Sequence, residues 1–397
     1  MTEPVYPMAR QCPFDPPPEV TRLRDQPQVS RVPIWNGMRP WLFTRFDDAR
    51  VVLGDPRFSA DKRRPGYPVS SAVALAEATV EPTLLIMDNP EHDAVRRLVL
   101  SEFTVRRAES WRTRIAAIVD GCVDRMVDGR GHGDLVADLA LPVALSFVCE
   151  LLGVPAADRE RFRRLTHDMN VLSGTTETAG AARQELQDYL ESLVAERERE
   201  PGDDFVGRMI VTHVRTGAMD RRTLAAMALL LLTAGHDTTA NMISLGLLTL
   251  LRNPAHFAAL RTDDPGRLAD TVEELLRYLT IVQRGIRRMA VEDVDVNGHP
   301  VRAGDGVIAA INAANRDPAR FAAGERFDPT ARPHGHLAFG YGPHQCLGQS
   351  LARVELQETY RVVARRLPGL RVGVPLERLR FKSDMAVYGL HELPVTW

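Results

Sequence analysis

Leu224 to Leu251 is a long, almost wholly apolar stretch with the length and composition of a single helix. A helix that is hydrophobic around most of its circumference cannot lie on a surface; other elements must wrap it. The chain is therefore expected to build a large, mostly helical core around this segment. Within it, Ala234-Gly235-His236-Asp237-Thr238-Thr239 inserts a glycine and polar groups. A buried carboxylate and hydroxyls cost stability there unless they are paired or functional. Ala234 and Thr238 share a face, and small Ala234 and Gly235 leave room for a flat cofactor or a diatomic molecule. Glycine in mid-helix also permits a kink whose freed carbonyls can hold water. A plainer alternative has Thr238 bonding back to its own helix and Asp237 in a salt bridge.

Composition narrows the class. Of 397 residues, 44% are hydrophobic and 26% charged, enough apolar mass for a sizeable core. A net charge of -2 gives no footprint for nucleic acid or an anionic membrane, so neither is expected as a partner. The longest apolar run, Leu224 to Leu232, is too short to cross a bilayer, and Met1-Thr2-Glu3-Pro4 does not open a secretory signal. Cys12, Cys122, Cys149 and Cys346 are scattered without a C-x-x-C pair, which suits a reducing cytoplasm and argues against a disulfide framework or zinc. Basic residues are almost all arginine, with Lys62 and Lys382 as the only lysines.

Along the chain, residues 1–29 are proline-rich and expected to wrap the surface, with Pro13 to Pro18 too proline-dense for a helix. Asn36-Gly37 between Val32–Trp35 and Trp41–Thr44 signals a hairpin, as does Asn297-Gly298 after Asp293–Val296, with a strand following at Gly306–Ala310. Short helices are expected at Phe46–Leu53 and from Asp88 onward, with longer amphipathic ones near 105–128, 135–152, 157–170 and 180–200. Residues 62–83 read as a long irregular loop, and Asn170 to Thr178 as a lid.

Near the C-terminal side, Phe339-Gly340-Tyr341-Gly342-Pro343-His344-Gln345-Cys346-Leu347-Gly348 sets one cysteine between a glycine-rich turn and a helix from about Leu347 to Leu367. Unpaired amides and the helix dipole at such a place favour thiolate, a soft ligand for iron. The spacing Phe-x-x-Gly-x-x-x-Cys-x-Gly, with Leu351-Ala352-Arg353 after it, resembles the haem-binding peptide of bacterial cytochromes P450. Other stretches extend the resemblance over essentially the whole chain. Ala234 to Thr239 matches the oxygen-activation motif, in which acid and alcohol relay protons, so Asp237 and Thr238 are implied as catalytic. His92 and Arg96 after Pro90-Glu91, together with Arg288 and His344, are implied to neutralise haem propionates. Ala234, Gly235, Phe339 and Gly348 would line the cofactor and Cys346 would ligate the iron. Glu274 and Arg277 match Glu-x-x-Arg, a structural pair with Arg326 as third member.

The resemblance implies a mainly α fold with small β-sheets, a single cytochrome P450 domain over residues 1–397 with a helical core and a β-lobe on its N-terminal side. It also implies haem b and a cytoplasmic monomeric monooxygenase that inserts one oxygen atom from O2 into a small hydrophobic molecule, a bacterial secondary metabolite. Electrons would come from a ferredoxin and ferredoxin reductase, since no flavin or nicotinamide fingerprint is present; Arg97 and Arg353 are candidate docking residues. Family positions facing the iron fall on Ile86, Leu230, Thr233, Ala234, Arg284, Ala386 and Val387. Arg284 stands out in that apolar wall, as a contact for a substrate carboxylate, carbonyl or ring, or turned to solvent or a propionate. Competing classes are oxidative C–C or C–N coupling, a haem-binding sensor without turnover, and a haem-free helical binding protein.

Overall fold

The computed structural model describes residues 4–71, 83–170, 176–262 and 264–397, without the side chains of 166–170 and 176–179. The loop expected at 62–83 lies partly, and the lid expected at Asn170 to Thr178 largely, outside these residues.

The apolar stretch forms the helix Arg221–Leu251, capped at its start by Asp220, whose carboxylate accepts from the Thr223 amide. It is helical throughout, without a break at Gly235. Packed against it are Leu141–Leu152, Thr176–Arg199, Pro265–Leu279 and Gln349–Arg366. Burial of its last eleven residues, Asn241 to Leu251, is nearly complete, while Leu230, Leu231, Thr233, Ala234, Gly235, Asp237 and Thr238 retain exposure. A mid-length window in an otherwise enclosed helix means that space opens beside it there. Gly246 is required where it stands: a Cβ would lie 2.0 Å from the Tyr360 hydroxyl, which donates to the Met242 carbonyl.

A mixed five-stranded sheet runs Ser30–Arg31, Trp41–Phe43, Gly306–Ala309, Ile286–Ala290, Phe58–Ser59. Trp41–Phe43 pairs parallel with Gly306–Ala309, and in the antiparallel register of the next pair Arg288 faces Val307. A second sheet joins His132–Asp134, Pro394–Thr396 and Arg371–Val372. The Asn297-Gly298 hairpin forms as expected, both residues having positive φ, between Val294–Val296 and His299–Val301.

Two expectations need correction. The N-terminal segment is not merely a surface wrap: Tyr6, Met8, Phe14 and Val20 are buried, and Pro18–Arg24 is helical because proline is tolerated in a first turn. Arg326 is not a charged partner of Glu274 and Arg277. Its side chain is exposed and only its carbonyl accepts from Arg277, at 3.0 Å. Arg277 is bidentate on Glu274, both distances 2.8 Å, and reaches the carbonyls of Asn315 and Gly324 as well.

Candidate active site

The cysteine loop is fixed by its backbone. Gly340 and Gly342 have φ of +71° and +74°, and a Cβ on Gly342 would lie 2.5 Å from the Leu53 carbonyl oxygen. The Cys346 amide donates to the Phe339 carbonyl at 2.8 Å, folding the loop so that the thiol stands ahead of the helix Gln349–Arg366. Gly348 is the N-cap, and space is open where its Cβ would be. The Phe339 ring lies under Arg353, 4.6 Å from the guanidinium.

Burial pushes the Cys346 thiol up, against the pull of the Gly348 amide, Arg96 and Arg353. The residue is nonetheless exposed, and the Gly348 amide and the two arginines act in the direction that favours thiolate; a metal cation at the sulfur would be the decisive charge.

Beside the loop the structure gathers four basic side chains. The rings of His92 and His344 lie 4.2 Å apart, and the Arg96 guanidinium donates to the Gln345 carbonyl at 2.8 Å. Arg288, buried, donates to the Arg287 carbonyl at 2.7 Å. Burial, then the charges of Arg288, His92 and Arg96, push His344 down to about 3 despite Asp88. Asp88 is itself occupied by Ser59, Ala60 and Arg64. His92 Nε2 is buried and without a partner among the described residues. Two guanidiniums beside two imidazoles, one with an orphaned ring nitrogen, fit a group with two carboxylates next to the thiol.

On the central helix, both parts of the plainer alternative are present. Thr238 Oγ1 donates to the Ala234 carbonyl at 2.6 Å, and Asp237 pairs with Lys382 at 3.3 Å. Neither removes these groups from the window, since both keep partial exposure and Ala234 is exposed. Lys382, 8% exposed, also donates to Asn241 at 2.9 Å. Gly389 allows this approach: a Cβ there would lie 2.0 Å from Asn241 Oδ1.

The candidate substrate residues are only partly united. Val387 bridges Val282, and Arg284 donates to the Asp384 carbonyl, joining the 281–288 and 381–388 segments. Ala386 is exposed, Leu230 half-buried, and Thr233 spends its hydroxyl on the carbonyls of Leu229 and Leu230. Ile86 lies half-buried in a turn closed by its amide on the Thr83 carbonyl. Arg353 is not a free docking charge, because it is bidentate on Glu273, and Arg97 Nε donates to the Asp93 carbonyl.

Sequence reading missed Lys382, Asn241 and Gln283, whose amide donates to the carbonyls of Lys382, Ser383 and Met385. One signal was available: Lys382 is a lysine in a chain whose other basic residues, Lys62 apart, are arginine.

The chain has known relatives. The family described as Cytochrome P450 matches residues 165–264 and 267–360. Cytochrome P450-SU2 of Streptomyces griseolus is 45% identical, covering 97% of this chain and 94% of its own. The chain belongs to the cytochrome P450 family. It is accordingly a P450 monooxygenase, an enzyme of a haem-dependent family. The 20-oxo-5-O-mycaminosyltylactone 23-monooxygenase of Streptomyces fradiae is 42% identical over 99% of this chain and 92% of that protein. The crystal structure of GfsF superposes with a TM-score of 0.93 at 43% identity, covering 99% of this P450 and 100% of that chain. Among the described residues, no helix of this P450 is long and apolar enough to cross a membrane.

Buried His236 and half-buried Glu273 both contribute to its acid stability. Burial pushes His236 down to about 4, so the unfolded chain takes up a proton near its ordinary value while the folded one does not. Stability is then lost as pH falls from about 6.5 to about 4, by about 3 kcal/mol at about 1.4 kcal/mol per unit. Burial alone would raise Glu273, but hydrogen bonds from His336 and Arg353 outweigh it and lower the carboxyl to about 2. Its contribution is present above about 4.5 and lost toward about 2. Denaturant titrations at pH 7, 5.5 and 4 are expected to show the first decline, and His236→Gln to flatten it.

Proposed function

We propose that the whole chain acts as one catalytic domain that holds haem b through Cys346 and inserts one oxygen atom from O2 into a small hydrophobic organic molecule. The observation that carries this reading is the cluster of His92, Arg96, Arg288 and His344, with its orphaned imidazole nitrogen, beside a cysteine loop that opens at Gly348. Those four side chains would hold the two propionates, and Ala234 and Gly235 would leave the other face clear. Haem on a thiolate supplies dioxygen activation in this class. Asp237, oriented by Lys382, would hold and pass a proton, and the Thr238 hydroxyl, four residues along one face from Ala234, would hand it on at Oγ1. Glu274 and Arg277 would keep the helix behind the cysteine loop in place.

The relative from Streptomyces fradiae is named for oxidation of a macrolide, which supports a secondary metabolite as substrate. Electrons would come from a ferredoxin and its reductase, docking through basic residues other than Arg353.

The test is the spectrum of the dithionite-reduced, CO-bound protein. A Soret band near ~450 nm that disappears in Cys346→Ala is expected; a band near ~420 nm in the parent would sink the haem-thiolate assignment. Thr238→Ala is expected to keep that band while diverting reducing equivalents from product to peroxide. Unchanged coupling in this variant would take Thr238 out of the relay.

A further inference from the structure

Two of the buried arginines in this protein are well satisfied. Arg316 donates to Glu325 and to the carbonyls of Phe14 and Tyr278, and Arg277 to Glu274 and three carbonyls. Arg284 and Arg287, like Arg10, are not. The Arg287 side chain has no hydrogen-bond acceptor among the described residues, and its Nε is buried without a partner. Around it stand the phenols of Tyr6 and Tyr67 and a like charge, Arg284, and burial lowers its proton affinity. Arg284 has one acceptor, the Asp384 carbonyl, and its Nε is likewise buried and unpartnered. The Tyr6 hydroxyl is a third unsatisfied donor. It lies 2.9 Å from where a Cβ on Gly285 would be, against the backbone that joins the two arginines.

Both arginines are half-buried with their Nε atoms shut off from solvent, whereas no unpartnered Nη of either is fully buried. The support is rigid. Val282 bridges Val387, the Tyr388 amide donates to the Ile281 carbonyl at 2.8 Å, and Gln283 ties down the 382–385 turn. Two cations that feel one another's charge, with no carboxylate paired to them among the described residues and with donors to spare, are costly unless an anion joins them.

We propose that Arg284 and Arg287, backed by the buried Tyr6 hydroxyl, form a subsite for the carboxylate of an otherwise apolar substrate. This deepens the monooxygenase reading and rests on it. A guanidinium presents two parallel donors that match a carboxylate, while the adjoining Val282 and Val387 suit an apolar body.

The probes are dodecanoate and 1-dodecanol, equal in chain and different in charge, titrated into the haem-loaded protein at pH 7.5 by calorimetry. Dodecanoate is expected to bind about tenfold to a hundredfold more tightly, the range of charge-assisted hydrogen bonds. Arg284→Gln should bring the acid down to the affinity of the alcohol and leave the alcohol unchanged, and Arg284→Lys should keep part of the preference. Arg284 is the less enclosed of the two, so its variants carry the test if Arg287→Gln fails to fold. Equal binding of acid and alcohol in the parent, or full preference in Arg284→Gln, overturns the subsite. So does faster haem transfer from Arg284→Gln to apomyoglobin, which would give the arginine to the propionates. The reduced CO spectrum, taken alongside, separates the two readings. A thiolate-type band without acid preference removes the subsite alone, whereas acid preference without that band removes the monooxygenase reading.

Discussion

Glu274→Ala is expected to yield little folded protein, with whatever survives melting several degrees lower and holding haem poorly. Glu274 and Arg277 are 1% and 3% exposed and locked by two 2.8 Å bonds, and Glu274 also accepts from the Asp328 amide at 2.7 Å. Removing the carboxylate strands a buried guanidinium and an amide together. The three carbonyls around Arg277 solvate its donors but do not neutralise its charge. Breaking such a pair costs about 3–5 kcal/mol, a large part of a typical total of about 5–15 kcal/mol. Replacing both partners, as in Glu274→Leu with Arg277→Met, should recover part of the loss, because no charge is left behind. Thermal melts of the three proteins check this. A single variant that melts with the parent would show that the pair is dispensable.

Asp237→Asn should lower product formation by about 100-fold, the lower range for loss of a positioned proton donor, while leaving fold, haem content and substrate affinity intact. The asparagine oxygen can still accept from Lys382, so the ion pair is replaced by a hydrogen bond and the helix keeps its shape. What disappears is a group able to pick up and release a proton within the window of the central helix. Steady-state turnover with a reconstituted reductase, read alongside a substrate-binding titration, separates the two effects. A variant that turned over normally would move proton delivery to another route.

Much of this was legible along the chain because its signals are local. An all-round apolar helix, a glycine-rich turn before a cysteine, and Asn-Gly between strands each reveal themselves within a few residues. The central helix begins at Arg221 rather than Leu224 because an aspartate cap lets three less apolar residues join it. The missed features join distant parts of the chain or use the backbone. Nothing near Asp237 announces Lys382, and Arg326 contributes a carbonyl, which every residue carries. The burial of Tyr6 was hidden for a similar reason: a proline-rich segment reads as irregular wherever it goes. The family resemblance implied a shared role for His92, Arg96, Arg288 and His344, which spacing alone would have left as a polar stripe and scattered charges.

The strand Pro394–Thr396 pairs on both its edges, and Lys382 reaches back to Asp237 on the central helix. A ribosome makes the helix, with its acid and alcohol, long before it makes the cysteine loop, the lysine and that strand. The long apolar helix therefore waits in the nascent chain with part of its wrapping missing. It is completed only when the late segments emerge, so the protein cannot assemble its chemistry piecemeal during synthesis, and chaperone demand should peak in that interval.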